Sequence, residues 1–126
     1  MRLPVMILDA DSGASAQLAT QLNHAGFAIE LATTPADALD VLGYRVCSAM
    51  VVVADRVDDR EFQESLMDLR HAAPKAWVLV VTDDPPQRAI QIVRQCGADE
   101  LLVTPFSVAT LVEYLAAHVR LPRPLS

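Results

Sequence analysis

Five short, largely unbroken apolar runs recur along the chain at near-even intervals. They are Val5–Leu8 (VMIL), Phe27–Ala32, Ala49–Ala54 (AMVVVA), Trp77–Val81 (WVLVV) and Leu101–Val103 (LLV). A strand with one wet face alternates apolar and polar residues, whereas a strand covered on both faces does not. Runs of this kind therefore predict a parallel sheet with helices on both sides.

The gaps between the runs carry helical signals. Ser12 to Ala25 sets Leu18, Leu22 and Ala25 on one face and stops at Gly26. Thr34-Pro35-Ala36-Asp37 reads as an N-cap, a proline at the first helical position and an acid in the first turn, and that helix runs through Ala38, Leu39 and Leu42 to Gly43. Asp59 to Ala72 carries Phe62, Leu66 and Leu69 and ends before Pro74. Asp84-Pro85 opens the next helix, which holds Ile90 and Val93 and stops at Gly97; Asp83 and Asp84 are expected to cap it. Ser107 caps the last helix, where Leu111, Tyr114, Leu115 and Val119 form one stripe.

The resulting order is βαβαβαβαβα. Right-handed crossovers between parallel strands fold such a chain into a three-layer α/β sandwich. Ligands of these sheets sit outside the carboxyl ends of the strands, so functional residues are sought just after the first, third, fourth and fifth. A length of 126 residues suits one domain, taken as residues 1–120, with a proline-containing tail or linker start at 121–126 (LPRPLS).

Charge and composition exclude several classes of function. A net charge of −6 argues against a nucleic-acid phosphate backbone as direct partner. No apolar run approaches the ~20 residues of a membrane-spanning helix, and no cleavage site follows Met1-Arg2-Leu3-Pro4. Cys47 and Cys96 lie in apolar surroundings without metal spacing. A soluble, cytoplasmic, non-membrane protein is the expectation. With four glycines and no glycine-rich phosphate loop, nucleophile elbow or dinucleotide fingerprint, a nucleotide-binding or flavin enzyme is not expected. His24, His71 and His118 fall near helix ends and are assigned no chemistry.

Acids gather where the strands end: Asp9-Ala10-Asp11 after the first, Asp55 and Asp58-Asp59 after the third, Thr82-Asp83-Asp84 at the fourth. The fifth is followed by Thr104-Pro105-Phe106. The segment Gly97-Ala-Asp-Glu-Leu-Leu-Val-Thr-Pro-Phe-Ser107 is similar to the end of a response-regulator receiver domain, the phosphoryl-accepting module of two-component signalling. Ile7-Leu-Asp-Ala-Asp11 resembles that family's acidic cluster, and Val80-Val81-Thr82 resembles its fourth strand end. The resemblance implies a flavodoxin-like fold with strand order 2-1-3-4-5. It also implies Asp55 as candidate phosphoacceptor, Thr82 and Thr104 as phosphoryl contacts, and Asp9, Asp11 and Asp55 around Mg²⁺. A histidine kinase or other signalling protein is the implied partner.

The departures bear on activity. Ala10 stands where the family has its second acid, usually a direct metal ligand, so Mg²⁺ binding is expected to be weak. Thr104 replaces the family's lysine and supplies a hydroxyl but no charge. The only lysine, Lys75, precedes the fourth strand, too far along the sheet to substitute, and Leu101 replaces the family's reporting aromatic. Counting back from Arg56 and Val57 sets Ala54 rather than Asp55 at the acceptor position; both placements stand at this point. Asp11 is either a metal ligand or the cap of the first helix, and Thr82 either a phosphoryl contact or an ordinary strand end.

The leading expectation is an atypical receiver acting by protein–protein interaction, phosphorylated weakly or not at all. The alternative is a competent phosphoacceptor modified on Asp55 with Mg²⁺. The interaction surface implied by the family lies on the fourth helix, fifth strand and fifth helix, with Arg88, Ile90, Arg94, Val108, Val112, Glu113 and Arg120, and it suits pairing with a like domain.

Overall fold

The computed structural model describes residues 2–119, so the expectations for Arg120 and for the tail at 121–126 lie outside the described residues. Five strands, β1 (Leu3–Leu8), β2 (Phe27–Ala32), β3 (Ala49–Ala54), β4 (Trp77–Thr82) and β5 (Glu100–Val103), alternate with five helices. These are α1 (Ser12–His24), α2 (Pro35–Tyr44), α3 (Arg60–Ala72), α4 (Pro86–Gln95) and α5 (Val108–His118). The strands are all parallel, in the order β2-β1-β3-β4-β5. This is the expected flavodoxin-like order. β1 starts two residues earlier than its apolar run, because a proline near a strand's start is tolerated and the Pro4 carbonyl still accepts from the Ser48 N–H at 2.8 Å.

Alternation along each strand divides the core in two. Met6, Met50, Val52, Val78 and Val80 pack with Ala38 and Val41 of α2, Leu66 and Leu69 of α3, and Ala89 and Val93 of α4. Val5, Ile7, Val51, Leu79 and Val81 turn to the opposite face, against Leu22 of α1 and Leu111 and Leu115 of α5. Both faces of the central strands are thereby dry, which is why their sequences are unbroken.

Four helices start on side-chain caps. Asp11, Thr34, Asp59 and Ser107 accept from the N–H groups of Ala14, Asp37, Phe62 and Thr110, each at 3.1 Å. Asp59→Ala is expected to cost about 1 kcal/mol, read as a lower urea midpoint at unchanged slope. A loss under a few tenths would show that the cap is dispensable.

α4 departs from expectation: neither Asp83 nor Asp84 caps it, and Pro85 occupies the cap position with no side-chain hydrogen bond. Pro86 in the first turn has no N–H to satisfy, which lessens the need for a cap. The Asp84 carboxylate turns instead to the neighbouring loop and accepts from the Val57 N–H at 2.8 Å.

Two tertiary features lie at the amino ends of the strands. Arg70 of α3 reaches across to the chain around β4 and β5, donating to the carbonyls of Gly97 and Ala76 at 2.7 Å and to Asp99 Oδ2 at 2.6 Å. Trp77 stacks on His118 at the end of α5, with ring centroids 4.7 Å apart and planes 7° from parallel.

Candidate functional site

The carboxyl ends of β1, β3, β4 and β5 bring the expected residues to one edge of the sheet. Asp9 follows β1 and is half-buried; its Oδ1 accepts from the Asp11 N–H at 2.9 Å. Asp11 is exposed and its own Oδ1 caps α1, so of the two roles left open for it the cap is occupied. Ala10 between them is exposed.

Strand register determines what stands beside Thr82. Val53 and Ala54 are opposite Val81 and Thr82, so Ala54 is the residue paired across from the buried Thr82. Ala54 packs on the α2–α3–α4 side, while Val53 packs on the α1–α5 side. Asp55 lies one residue beyond the last pair, exposed on the loop. The Thr82 hydroxyl accepts from the Asp84 N–H at 3.2 Å and so helps to hold its own loop.

Two cavities follow from this alternation. Asp55 lines an open cavity of about 590 Å³ with Arg56, Asp58, Asp59 and Phe62. Asp9 and Thr104 line a different one of about 330 Å³, floored by Val53 and Val81. Its walls are Gln17, Leu18 and Gln21 of α1 and Phe106 and Val108 on the other side. Asp55 is not among its lining residues.

The β3–α3 and β4–α4 loops are tied together. Besides the Asp84–Val57 bond, Arg88 of α4 approaches Asp58 Oδ2 at 3.5 Å, and within the β3–α3 loop Arg56 forks onto the same Asp58 with two contacts of 3.2 Å. The hydrogen bond from Arg56 holds the Asp58 carboxyl below the usual carboxylate range.

The fit to a divalent cation is poor. Among the described residues no group of three His, Cys, Asp or Glu is disposed to hold a metal ion. Asp11 is committed to its helix, Ala10 offers no oxygen, and Asp55 opens onto the other cavity. Lys75 lies by the start of β4, beside Val46 and Ala73, at the end of the sheet away from Thr104. Cys47 and Cys96 are free and buried, and burial pushes both thiols up.

On the face formed by α4, β5 and α5, Arg88, Arg94 and Glu113 are exposed. Ile90, Val108 and Val112 are half-buried and pack onto the two cores. The exposed large apolar residues among those described are elsewhere: Leu31, Leu39, Tyr44, Val46 and Met67 lie on β2, α2, the α2–β3 loop and α3. Gln17 and Gln21 line the cavity of Asp9 and Thr104, although no motif marks them in the sequence. Their signal was the spacing of Ala14, Gln17, Leu18 and Gln21 at i, i+3, i+4 and i+7, which sets them on one face of α1.

No family model matches the chain. It is 27% identical over 126 residues to the response regulator MprA of Mycobacterium bovis and, equally, of Mycobacterium tuberculosis H37Rv. That similarity spans 98% of this chain and 54% of the relatives, so the chain covers about half the length of the proteins it matches. Among solved structures, the CheY-like receiver domain protein of Methanospirillum hungatei superposes with a TM-score of 0.81 at 19% identity, over 93% of both chains. A response regulator of Burkholderia pseudomallei, solved with a phosphorylated aspartic acid, a calcium ion and citrate, superposes at 0.77 with 22% identity, over 94% of this chain and 66% of that one. The superpositions show a CheY-like fold, and the sequence similarity is to response regulators. No helix among the described residues is long and apolar enough to cross a membrane.

Proposed function

We propose that this chain is a cytoplasmic receiver domain that signals by protein–protein contact, with weak or absent phosphorylation. The observation that carries this reading is the register of β3 on β4, in which Ala54 stands opposite Thr82 and Asp55 lies one residue beyond, exposed on the loop. Phosphoryl transfer depends on positioning and on charge stabilisation around the moving group. Among the described residues the edge has neither a converging carboxylate set nor a cation beside Thr104. The Burkholderia relative was solved with its phosphorylated aspartate and a calcium ion; in the present reading this chain has kept the scaffold of such a domain and lost most of its chemistry.

The partner is then a histidine kinase or another signalling protein. The contact surface is the α4–β5–α5 face with Arg88, Ile90, Arg94, Val108, Val112 and Glu113, which also suits a second copy of the chain.

Intact mass after incubation with acetyl phosphate and Mg²⁺, beside an active receiver, tests the proposal. The expected result is no phosphoryl gain while the control is modified. A gain that disappears in Asp55→Ala would make Asp55 the acceptor and establish the competent-receiver alternative.

A further inference from the structure

We propose that the groove between α1 and the β5–α5 loop binds a small organic cation, an amine carried on an apolar body, with Asp9 as its counter-ion. The inference goes beyond the signalling reading and does not depend on whether Asp55 is phosphorylated.

Among the described residues the groove is lined by one acid and no base. Only Oδ1 of Asp9 is engaged, by the Asp11 N–H, and no ion pair to Asp9 occurs among the described residues. A lysine in place of Thr104, as in the family motif, would bring a cation to the Asp9 side of the groove. Threonine leaves the carboxylate without one and adds a hydroxyl that can accept from an ammonium, which has three donors to place.

The rest of the lining suits the body of such a ligand. Leu18, Val53, Val81 and Phe106 supply apolar surface for that body, in a groove that is open to solvent. The Phe106 ring can also receive a cation on its face. Ala14, one turn before Leu18, adds little bulk to the lining. A volume of about 330 Å³ lies at the small end of the ~300–1,000 Å³ typical of small-molecule sites, room for one ring and a short chain.

The test is a ¹H–¹⁵N NMR titration of the full chain in metal-free buffer with phenethylamine. 2-Phenylethanol serves as the uncharged match and phenylacetate as the oppositely charged one. The amine is expected to move the amide signals of Ala14, Leu18 and Thr104 and to bind roughly fivefold tighter than the alcohol, with phenylacetate weaker still. Asp9→Asn keeps an oxygen for the Asp11 N–H, and its amide dispersion checks that it folds. In that variant amine and alcohol should bind alike, whereas Asp55→Asn should keep the preference. The proposal is overturned by an absence of shifts at the groove or by equal binding of amine and alcohol to the unmodified chain. A preference that survives Asp9→Asn, or that Asp55→Asn abolishes, overturns it too.

Discussion

Arg70→Ala is expected to lower the unfolding free energy by about 2–4 kcal/mol and the thermal midpoint by about 10 °C. The guanidinium is largely buried and donates from all three nitrogens. Nε goes to the Gly97 carbonyl, Nη1 to the carbonyls of Ala73, Pro74 and Ala76, and Nη2 to Asp99. Asp99 Oδ2 in turn accepts from the Val78 N–H at 2.8 Å, so one side chain joins α3 to the starts of β4 and β5. Truncation strips donors from several carbonyls at once, and unmet buried acceptors cost more than the net value of the bonds. Arg70→Lys should recover only part of the loss, since an ammonium cannot reproduce the planar fork. Urea denaturation followed by circular dichroism measures both variants, and a loss below about 1 kcal/mol for Arg70→Ala would mean water replaces the arginine at little cost.

The second large effect comes from the residue that Arg70 covers. Gly97 has φ +102°, and a Cβ there would stand 2.8 Å from Arg70 Cγ and 3.0 Å from Arg70 Cβ. Gly97→Ala therefore meets backbone strain of about 1–2 kcal/mol and a steric clash besides, for a total of about 3 kcal/mol. Because Arg70→Ala removes Cγ but keeps Cβ at 3.0 Å, it relieves only part of the clash, and the same substitution in that background should cost about 2 kcal/mol. Simple additivity of the two losses would show that the strain is confined to the backbone. Gly26 has the same sign of φ, 103°, with nothing within 4 Å of a Cβ, and isolates the backbone component.

Strands and helices were legible because their causes are local. Unbroken apolar runs, N-cap residues at Thr34 and Ser107, and the stops at Gly26 and Gly97 all act within a few residues. Sheet order was available through the GADxxLxxPF resemblance rather than through any local pattern. What escaped depends on distant partners. Asp84 looks like a cap in sequence, yet its acceptor oxygen serves Val57, 27 positions away. Arg70 has no motif, since nearly all its acceptors are backbone carbonyls, and the farthest partner, Asp99, is 29 residues on. Asp55 drew attention as the acid at the third strand end, but its neighbours follow from the register of β3 on β4, in which Ala54 meets Thr82. One position along a strand end exchanges one cavity for another, and no composition or spacing records that choice.

The stacked Trp77 and His118 rings give this domain an optical reporter at a known place. The chain has a single indole, so its near-ultraviolet emission arises from the start of β4 where it meets the last turn of α5. Fraying of that helix end exposes the ring and changes the emission before the bulk of the helices is lost. Fluorescence and far-ultraviolet circular dichroism thus watch different parts of one molecule, the junction and the whole. Coincident transitions would mean that α5 and the sheet come apart as a single cooperative unit, and an earlier optical transition would mark the carboxyl-terminal helix as a separable one.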